Sequence, residues 1–186
     1  TMWNSTRRMA ECIAEGLRET DPTLTVKLFN SAVDDKNDIV TEVFKSKAIL
    51  VGSPTINYGF LFSIGGIMEM IRGLKFKNKK AAAFGSYGWS GEAVKQITAL
   101  LQGAGFDVVN DGLRCQWNPD QATQETCRQY GRDFAAAVNA SEAKEDGVQT
   151  ELGDYNNDEQ IGKAAKEHFE DWEKDAREGV KGGYAG

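Results

Sequence analysis

The chain has 186 residues and a formal charge of −6, with three cysteines and one histidine. This length suits one domain of about 100–150 residues with an appendage. No apolar run reaches the roughly 18–20 residues of a membrane helix, and the start has no signal-peptide pattern, so we expect a cytoplasmic protein outside the membrane. The cysteines form no C-x-x-C pair, and one histidine is too few for most zinc enzymes or a Ser-His-Asp triad.

The charge is unevenly distributed along the chain. Residues 141–186 hold 13 acidic and 6 basic side chains, a net of −7, which leaves +1 for residues 1–140. A nearly neutral body without a basic stripe argues against a nucleic acid as partner.

In the first half of the chain, the spacing of apolar residues predicts alternating helices and strands. In chain order they are a helix over residues 5–19, a strand over 24–29, a helix near 37–44, a strand over 48–52, and a helix over 60–71 with Gly73 as its C-terminal cap. The continuous apolar run of residues 48–52 is typical of a parallel strand buried on both faces.

The alternation continues in the second half. The pattern predicts a strand over residues 80–86, a helix over 91–103, a strand near 106–109, a stretch over 113–117 that continues or flanks that strand, and a helix opened by Pro119 that runs to about Val138. Beyond it, residues 141–160 read as an acidic linker, and residues 161–180 as an amphipathic helix that docks on the domain or on a partner.

This order predicts an α/β fold with a doubly wound parallel sheet and helices on both faces. The series begins with a helix, whereas such a sheet should begin with a central strand leading into residues 1–6. We therefore expect that the chain lacks its own first strand. The predicted domain covers residues 1–140, and residues 141–186 form an acidic helical tail.

Three loops each precede a helix and each follow a strand, or the place of the missing one. They are Thr1–Thr6, Ser53–Tyr58 and Ser86–Gly91. Because the carboxyl ends of parallel strands share one edge of a sheet, the three loops should meet where such folds bind ligands.

The first loop offers three hydroxyls and an amide beside the N–H groups of a helix N-terminus, an arrangement that suits a phosphate group. An ordinary helix cap explains the same residues, and both interpretations stay open. The chain has no Walker lysine and no G-x-G-x-x-G motif, which disfavours nucleoside triphosphates and NAD.

The other two loops suit a flat heteroaromatic ligand. Residues 53–58 carry a proline, hydroxyls and an amide that can bond the edge of a ring. Residues 86–91 place Tyr87 and Trp89 among glycines, where an aromatic ring can stack on a ligand. Together they indicate a flavin site, although aromatics near a turn also occur simply as core residues.

At these loops the sequence resembles the flavodoxin-like domain of A-type flavodiiron proteins, the family that includes the flavorubredoxins. The similarity covers about residues 1–138 and is carried by these segments: Thr1–Thr6, Val51–Asn57, Ala83–Gly91, Asp35–Asp38 and Cys115–Pro119.

The resemblance implies FMN as cofactor, with its phosphate in the first loop and its ring between the other two. The implied FMN-binding residues are Thr1, Met2, Trp3, Asn4, Ser5, Thr6, Ser53, Pro54, Thr55, Ile56, Asn57, Ser86, Tyr87, Gly88, Trp89, Ser90 and Gly91. In this family FMN takes electrons from a rubredoxin-like donor and passes them to a diiron centre that reduces oxygen or nitric oxide, in head-to-tail homodimers.

Two departures limit what the resemblance implies. The family's diiron domain needs several histidines and carboxylates, so the centre would lie in a missing or separate domain. The tail also lacks the paired cysteines of a fused rubredoxin. The sequence thus predicts an electron-transfer domain without a catalytic residue or a metal ligand of its own.

Three alternatives remain open from the sequence. They are an NAD(P)H-dependent FMN or quinone reductase, a free flavodoxin-type carrier, and a non-catalytic scaffold that uses the acidic tail.

Overall fold

The computed structural model describes residues 3–145. In chain order its elements are α1 (Ser5–Thr20), α2 (Lys36–Lys45), β1 (Ala48–Gly52), α3 (Phe62–Arg72), β2 (Lys80–Tyr87), α4 (Glu92–Gly103), β3 (Asp107–Val108), β4 (Leu113–Gln116) and α5 (Gln121–Glu145). The tail helix predicted for residues 161–180 lies outside the described residues.

Strand β2 is the centre of the described sheet. It pairs in parallel with β1 on one side and with both β3 and β4 on the other. β3 lies opposite the start of β2 and β4 opposite its end, so the two form one interrupted strand. The turn between them requires Gly112, whose φ is +88° and whose added Cβ would lie 2.8 Å from the Ala83 carbonyl oxygen. The prediction that residues 113–117 continue or flank the preceding strand is confirmed.

Two apolar layers cover the faces of this sheet, as the doubly wound prediction requires. On one face α1 and α5 pack on Ala82 and Phe84 of β2. On the other face α3 and α4 pack on Ala81 and Ala83. Because side chains of a strand alternate between faces, the short side chains of β2 let helices approach from both sides.

The strand predicted for residues 24–29 is wrong, because this segment pairs with no strand in the described part of the chain. Leu24 and Val26 still pack against the α1/α5 layer. A strand is defined by hydrogen bonds to a neighbour, and in the predicted sheet that neighbour is the central strand, whose place no described residue fills. For the same reason residues 48–52, predicted to be buried on both faces, are only half-buried: β1 pairs on one side alone.

Helix α5 differs from its prediction at both ends. It begins at Gln121 rather than at Pro119, because the Asp120 carboxylate accepts the Thr123 backbone N–H at 2.8 Å and so caps the first turn. That hydrogen bond also lowers the pKa of Asp120. The helix runs to Glu145 instead of about Val138, through a run rich in alanine that favours helix.

Glycines allow α1 and α5 to lie in close contact. An added Cβ on Gly131 of α5 would lie 2.2 Å from the Ile13 carbonyl oxygen of α1, and one on Gly16 of α1 would lie 2.0 Å from the Arg128 carbonyl oxygen of α5. Salt bridges from Arg128 to Glu15 and from Arg132 to Glu19 flank this contact.

We expect Gly131→Ala to lower the free energy of unfolding by about 1–3 kcal/mol, because the methyl group must push the two helix backbones apart. The control is Gly103→Ala, since an added Cβ at Gly103 meets nothing within 4 Å. That variant should be neutral or slightly stabilising. Urea denaturation measures both, and equal values for the two variants would contradict the close contact.

Tyr130 makes the stability of the fold depend on pH in the alkaline range. Its hydroxyl oxygen lies 2.7 Å from the Asn110 Oδ1 and 3.0 Å from the Ala83 carbonyl oxygen, so its single proton is donated between these two acceptors. Burial raises the pKa of this phenol from about 10 to about 12. A folded-state pKa above the unfolded one means that the stabilisation is complete below pH 10 and is lost as pH rises to about 12.

We therefore expect Tyr130→Phe to lower the free energy of unfolding by about 1 kcal/mol at pH 7, through the lost hydrogen bond. The deficit should shrink when unfolding is measured between pH 10 and 12. In that range the phenol ionises in the unfolded wild type but stays protonated in the folded one, so only the wild type loses stability through this group. A deficit that stays constant over that range would show that the phenol titrates alike in both states.

Candidate functional site

The predicted loops meet at one edge of the sheet, the edge formed by the carboxyl ends of β1 and β2. Ser86 joins all three. Its Oγ lies 2.9 Å from the Thr6 Oγ1, and its carbonyl accepts the Thr55 backbone N–H at 2.8 Å. The side chains of Thr6 and Ser86 are both buried. The predicted strand over residues 80–86 extends by one residue, so that Tyr87, predicted as a loop residue, is the last residue of β2.

The first loop ends at the N-terminus of α1. Asn4 takes a left-handed conformation with a φ of +59°, and its side chain makes no cap hydrogen bond to the helix. The first N–H groups of a helix have no partner within the helix, so this turn presents N–H donors at the ligand edge. Trp3 is exposed, while Thr1 and Met2 lie outside the described residues.

The second loop is fixed by its own hydrogen bonds. The Ser53 hydroxyl is fully buried, accepts the Leu61 N–H at 2.9 Å and donates to the Pro54 carbonyl. Ile56 and Gly59 exchange two backbone hydrogen bonds around Asn57 and Tyr58, which both have positive φ values. The result is a tight turn that holds the Tyr58 side chain out, 78% exposed.

The third loop depends on a glycine at its end. Gly91 has a φ of +80° and caps α4, and an added Cβ would lie 3.1 Å from the Tyr87 ring. Next to Gly91, the Ser90 hydroxyl donates to the Glu92 carboxylate at 2.6 Å. Trp89 is 89% exposed.

A fourth segment, which the site prediction left out, completes this edge at the end of β4. The Ser5 hydroxyl donates to the Asn118 Oδ1 at 2.6 Å, and the Gln116 amide donates to the Gly88 carbonyl at 3.1 Å. Trp117 lies between them with a φ of +60°, a conformation that costs a bulky residue about 1–2 kcal/mol. The sequence signal for this segment was Cys115–Pro119, one of the segments that carry the family resemblance.

The edge combines satisfied polar groups with exposed aromatic rings. Ser5, Thr6, Ser53 and Ser86 are buried and hydrogen-bonded within the protein. Four large aromatics are exposed nearby: Trp3, Tyr58, Trp89 and Trp117. Within the described residues no group of histidine, cysteine or acidic side chains could hold a metal ion. The arrangement therefore suits a flat organic ligand that bonds to backbone groups.

Comparison with known proteins agrees with this geometry. The model of the flavodoxin family matches residues 1–131. The chain belongs to the flavodoxin family. Membership implies FMN as the cofactor of this domain, and the resemblance to the flavodoxin-like part of flavodiiron proteins is confirmed by individual relatives.

Among curated proteins, this flavodoxin domain is 50% identical over 135 residues to the anaerobic nitric oxide reductase flavorubredoxin of Escherichia coli O1:K1, and equally to that of Shigella boydii serotype 4. The match covers 73% of the chain but only 28% of each relative. The chain thus spans about a quarter of the length of these proteins.

Solved structures give the same family and fold. The rubredoxin oxygen:oxidoreductase of Desulfovibrio gigas is 36% identical with a TM-score of 0.71, over 76% of this chain and 35% of that one. The flavodiiron protein of Giardia intestinalis is 29% identical with a TM-score of 0.71, over the same shares. A flavodoxin from the domain Archaea is 30% identical with a TM-score of 0.64, and the match covers 73% of this chain and 92% of that one.

The exposed aromatics and the uncapped helix N-terminus fit FMN. An isoalloxazine ring is flat and apolar on its faces, which suits the rings of Tyr58 and Trp89. A phosphate carries negative charge, which suits the N-terminus of α1. No described residue contradicts the cofactor that the family implies. The described residues also include no helix that is both long and apolar enough to cross a membrane.

We expect Thr6→Val to lower the free energy of unfolding by about 1–2 kcal/mol, because it leaves the buried Ser86 hydroxyl without its partner. In a double-mutant cycle with Ser86→Ala, the two changes should be coupled by about 1 kcal/mol. The control is Ser90→Ala, which removes an exposed hydroxyl and should change stability by less than about 0.5 kcal/mol. Additive effects of Thr6→Val and Ser86→Ala would contradict the bond between the two loops.

Proposed function

We propose that this chain is the electron-relay part of a flavodiiron-type oxidoreductase. In this role FMN takes electrons from a rubredoxin-like donor and passes them to a diiron centre in another domain, which reduces oxygen or nitric oxide. The observation that carries the proposal is the edge where three loops and the segment after β4 are tied together beneath four exposed aromatics. The relatives named as flavorubredoxin and rubredoxin oxygen:oxidoreductase support the donor and the substrates.

We propose that the loop of residues 1–6 binds the FMN phosphate. The support is the N-terminus of α1, whose Asn4 side chain leaves the first turn uncapped. The hydroxyls of Ser5 and Thr6 are bonded to Asn118 and Ser86, so in this proposal they fix the shape of the loop while backbone N–H groups contact the phosphate. The dipole of α1 supplies the positive potential.

We propose that residues 53–57 and 86–91 bind the ring. The side chains of Ser53, Thr55 and Ser90 are bonded within the protein, so at these positions backbone groups would bond the polar edge of the ring while Trp89 covers a face. When bound, FMN supplies one- and two-electron redox chemistry. The task of the chain is to orient the ring, limit its contact with water and set its reduction potential.

A free flavodoxin-type carrier is the second candidate, because the match covers 92% of an archaeal flavodoxin but 35% of the Desulfovibrio gigas oxidoreductase. Both candidates share the same FMN site. They differ in whether the natural partner is a diiron domain or a separate redox protein, and no observation favours a reductase that uses NAD(P)H.

The proposal extends to assembly and location. We propose a homodimer in which the FMN edge of one subunit faces the partner's metal domain, since the exposed aromatics at this edge would otherwise meet water. We also propose a cytoplasmic location, which suits three free and buried cysteines in the described part of the chain.

Titration of the 186-residue chain with FMN and with riboflavin tests the site. We expect one FMN per chain, bound at least tenfold more tightly than riboflavin, because riboflavin lacks the phosphate. Trp89→Ala should weaken FMN binding by about tenfold, on a stacking energy of about 1–1.5 kcal/mol. Flavin fluorescence measures each dissociation constant.

The matched control is Phe44→Ala. Phe44 is also an exposed aromatic, but it lies at the end of α2 just before β1, at the opposite edge of the sheet. It should leave FMN binding unchanged. Failure of the wild type to bind FMN would overturn the proposal, whereas rapid bleaching of bound FMN by NADH alone would favour a nicotinamide-dependent reductase.

A further inference from the structure

Trp117 combines three features that core packing does not explain. It follows β4 directly, it is 58% exposed, and its φ of +60° is one that bulky side chains rarely adopt. The Trp117 ring is more than half exposed, so it does not serve to fill the core. Strain kept at an exposed residue beside a ligand edge points to a function for that residue.

Trp117 contacts the third loop through both its backbone and its side chain. Its backbone N–H donates to the Tyr87 carbonyl at 2.8 Å, and the neighbouring Gln116 amide donates to the Gly88 carbonyl at 3.1 Å. The indole lies over Gly88, where an added Cβ would be 3.2 Å from two of its ring carbons. The segment after β4 therefore holds the loop through backbone bonds and through this ring.

The same indole supports Trp89. The two ring centroids are 5.5 Å apart and the planes meet at 73°, an edge-to-face arrangement. Trp89 is 89% exposed, so this contact is a large part of what restricts its ring. Without it, the Trp89 side chain would be free to sample several rotamers over the ligand edge.

We infer that Trp117 is a positioning residue for the flavin: its strained backbone places its indole so that Trp89 is held in the orientation that covers the FMN ring. The inference rests on the proposed FMN site and deepens it. Trp117 acts through Trp89, so its removal changes how tightly and in which orientation the ring is held. The cost of ordering Trp89 is met before the ligand arrives.

Trp117→Gly separates this role from a structural one. Glycine relieves the positive φ and removes the indole, so the ligand-free chain should unfold at the same or a higher urea concentration than the wild type. FMN binding should nevertheless weaken by about five- to tenfold, and the visible circular dichroism of bound flavin should change. A residue with only a structural role would lose stability and affinity together.

Two further variants make the test independent of one substitution. Trp117→Phe keeps an aromatic ring and should restore most of the affinity. Trp117→Asn tolerates the left-handed backbone without a ring, and it should weaken binding as Trp117→Gly does.

A cycle with Trp89→Ala tests the route of the effect. In that background Trp117→Gly should change the FMN dissociation constant by less than about twofold, because the ring that Trp117 supports is gone. A full effect of Trp117→Gly there, or wild-type affinity and an unchanged flavin spectrum in Trp117→Gly alone, would overturn the inference. Failure of the wild type to bind FMN would overturn the proposed function instead.

Discussion

The parallel pairing of β2 with strands on both sides is the constraint on which the rest of this domain depends. Ala81, Ala82 and Ala83 are completely buried, and their small side chains let the helix layers close on both faces. The same strand ends at the ligand edge, where Ser86 bonds two loops. The packing of the core thus fixes the position of the site, because one strand belongs to both.

Close backbone contacts at glycine fix the loops against β2. An added Cβ on Gly85 would lie 2.0 Å from the Ser53 carbonyl oxygen, so the second loop lies directly against β2. Ser53 in turn bonds Leu61 at the start of α3. Each loop is therefore held by backbone or buried hydroxyl groups, and the exposed aromatics project from a rigid base.

The sequence predicted what local patterns determine. The helices and the strands over 48–52 and 80–86 follow from the spacing of apolar residues, since periodicity reports which faces are buried. Residues 24–29 have the alternation of a strand but no neighbouring strand among residues 3–145, and pairing is not a local property. The start of α5 was missed because the Asp120 cap outweighed the preference of Pro119 for a first turn.

The candidate site also has parts that local sequence patterns predict and parts that they do not. The three loops were found because strand ends share one edge, whereas the bond between Ser5 and Asn118 joins residues 113 positions apart and has no local signal. Of the hydroxyls that the sequence suggested as ligands, those of Thr6 and Ser86 bond to each other, and that of Ser5 bonds to Asn118. In the proposed site, backbone groups and aromatic rings would recognise FMN, and their positions depend on how the loops are tied together. Residues outside the proposed FMN-binding set, such as Asn118 and Gly85, would thereby help to set the geometry in which a flavin is held and its potential.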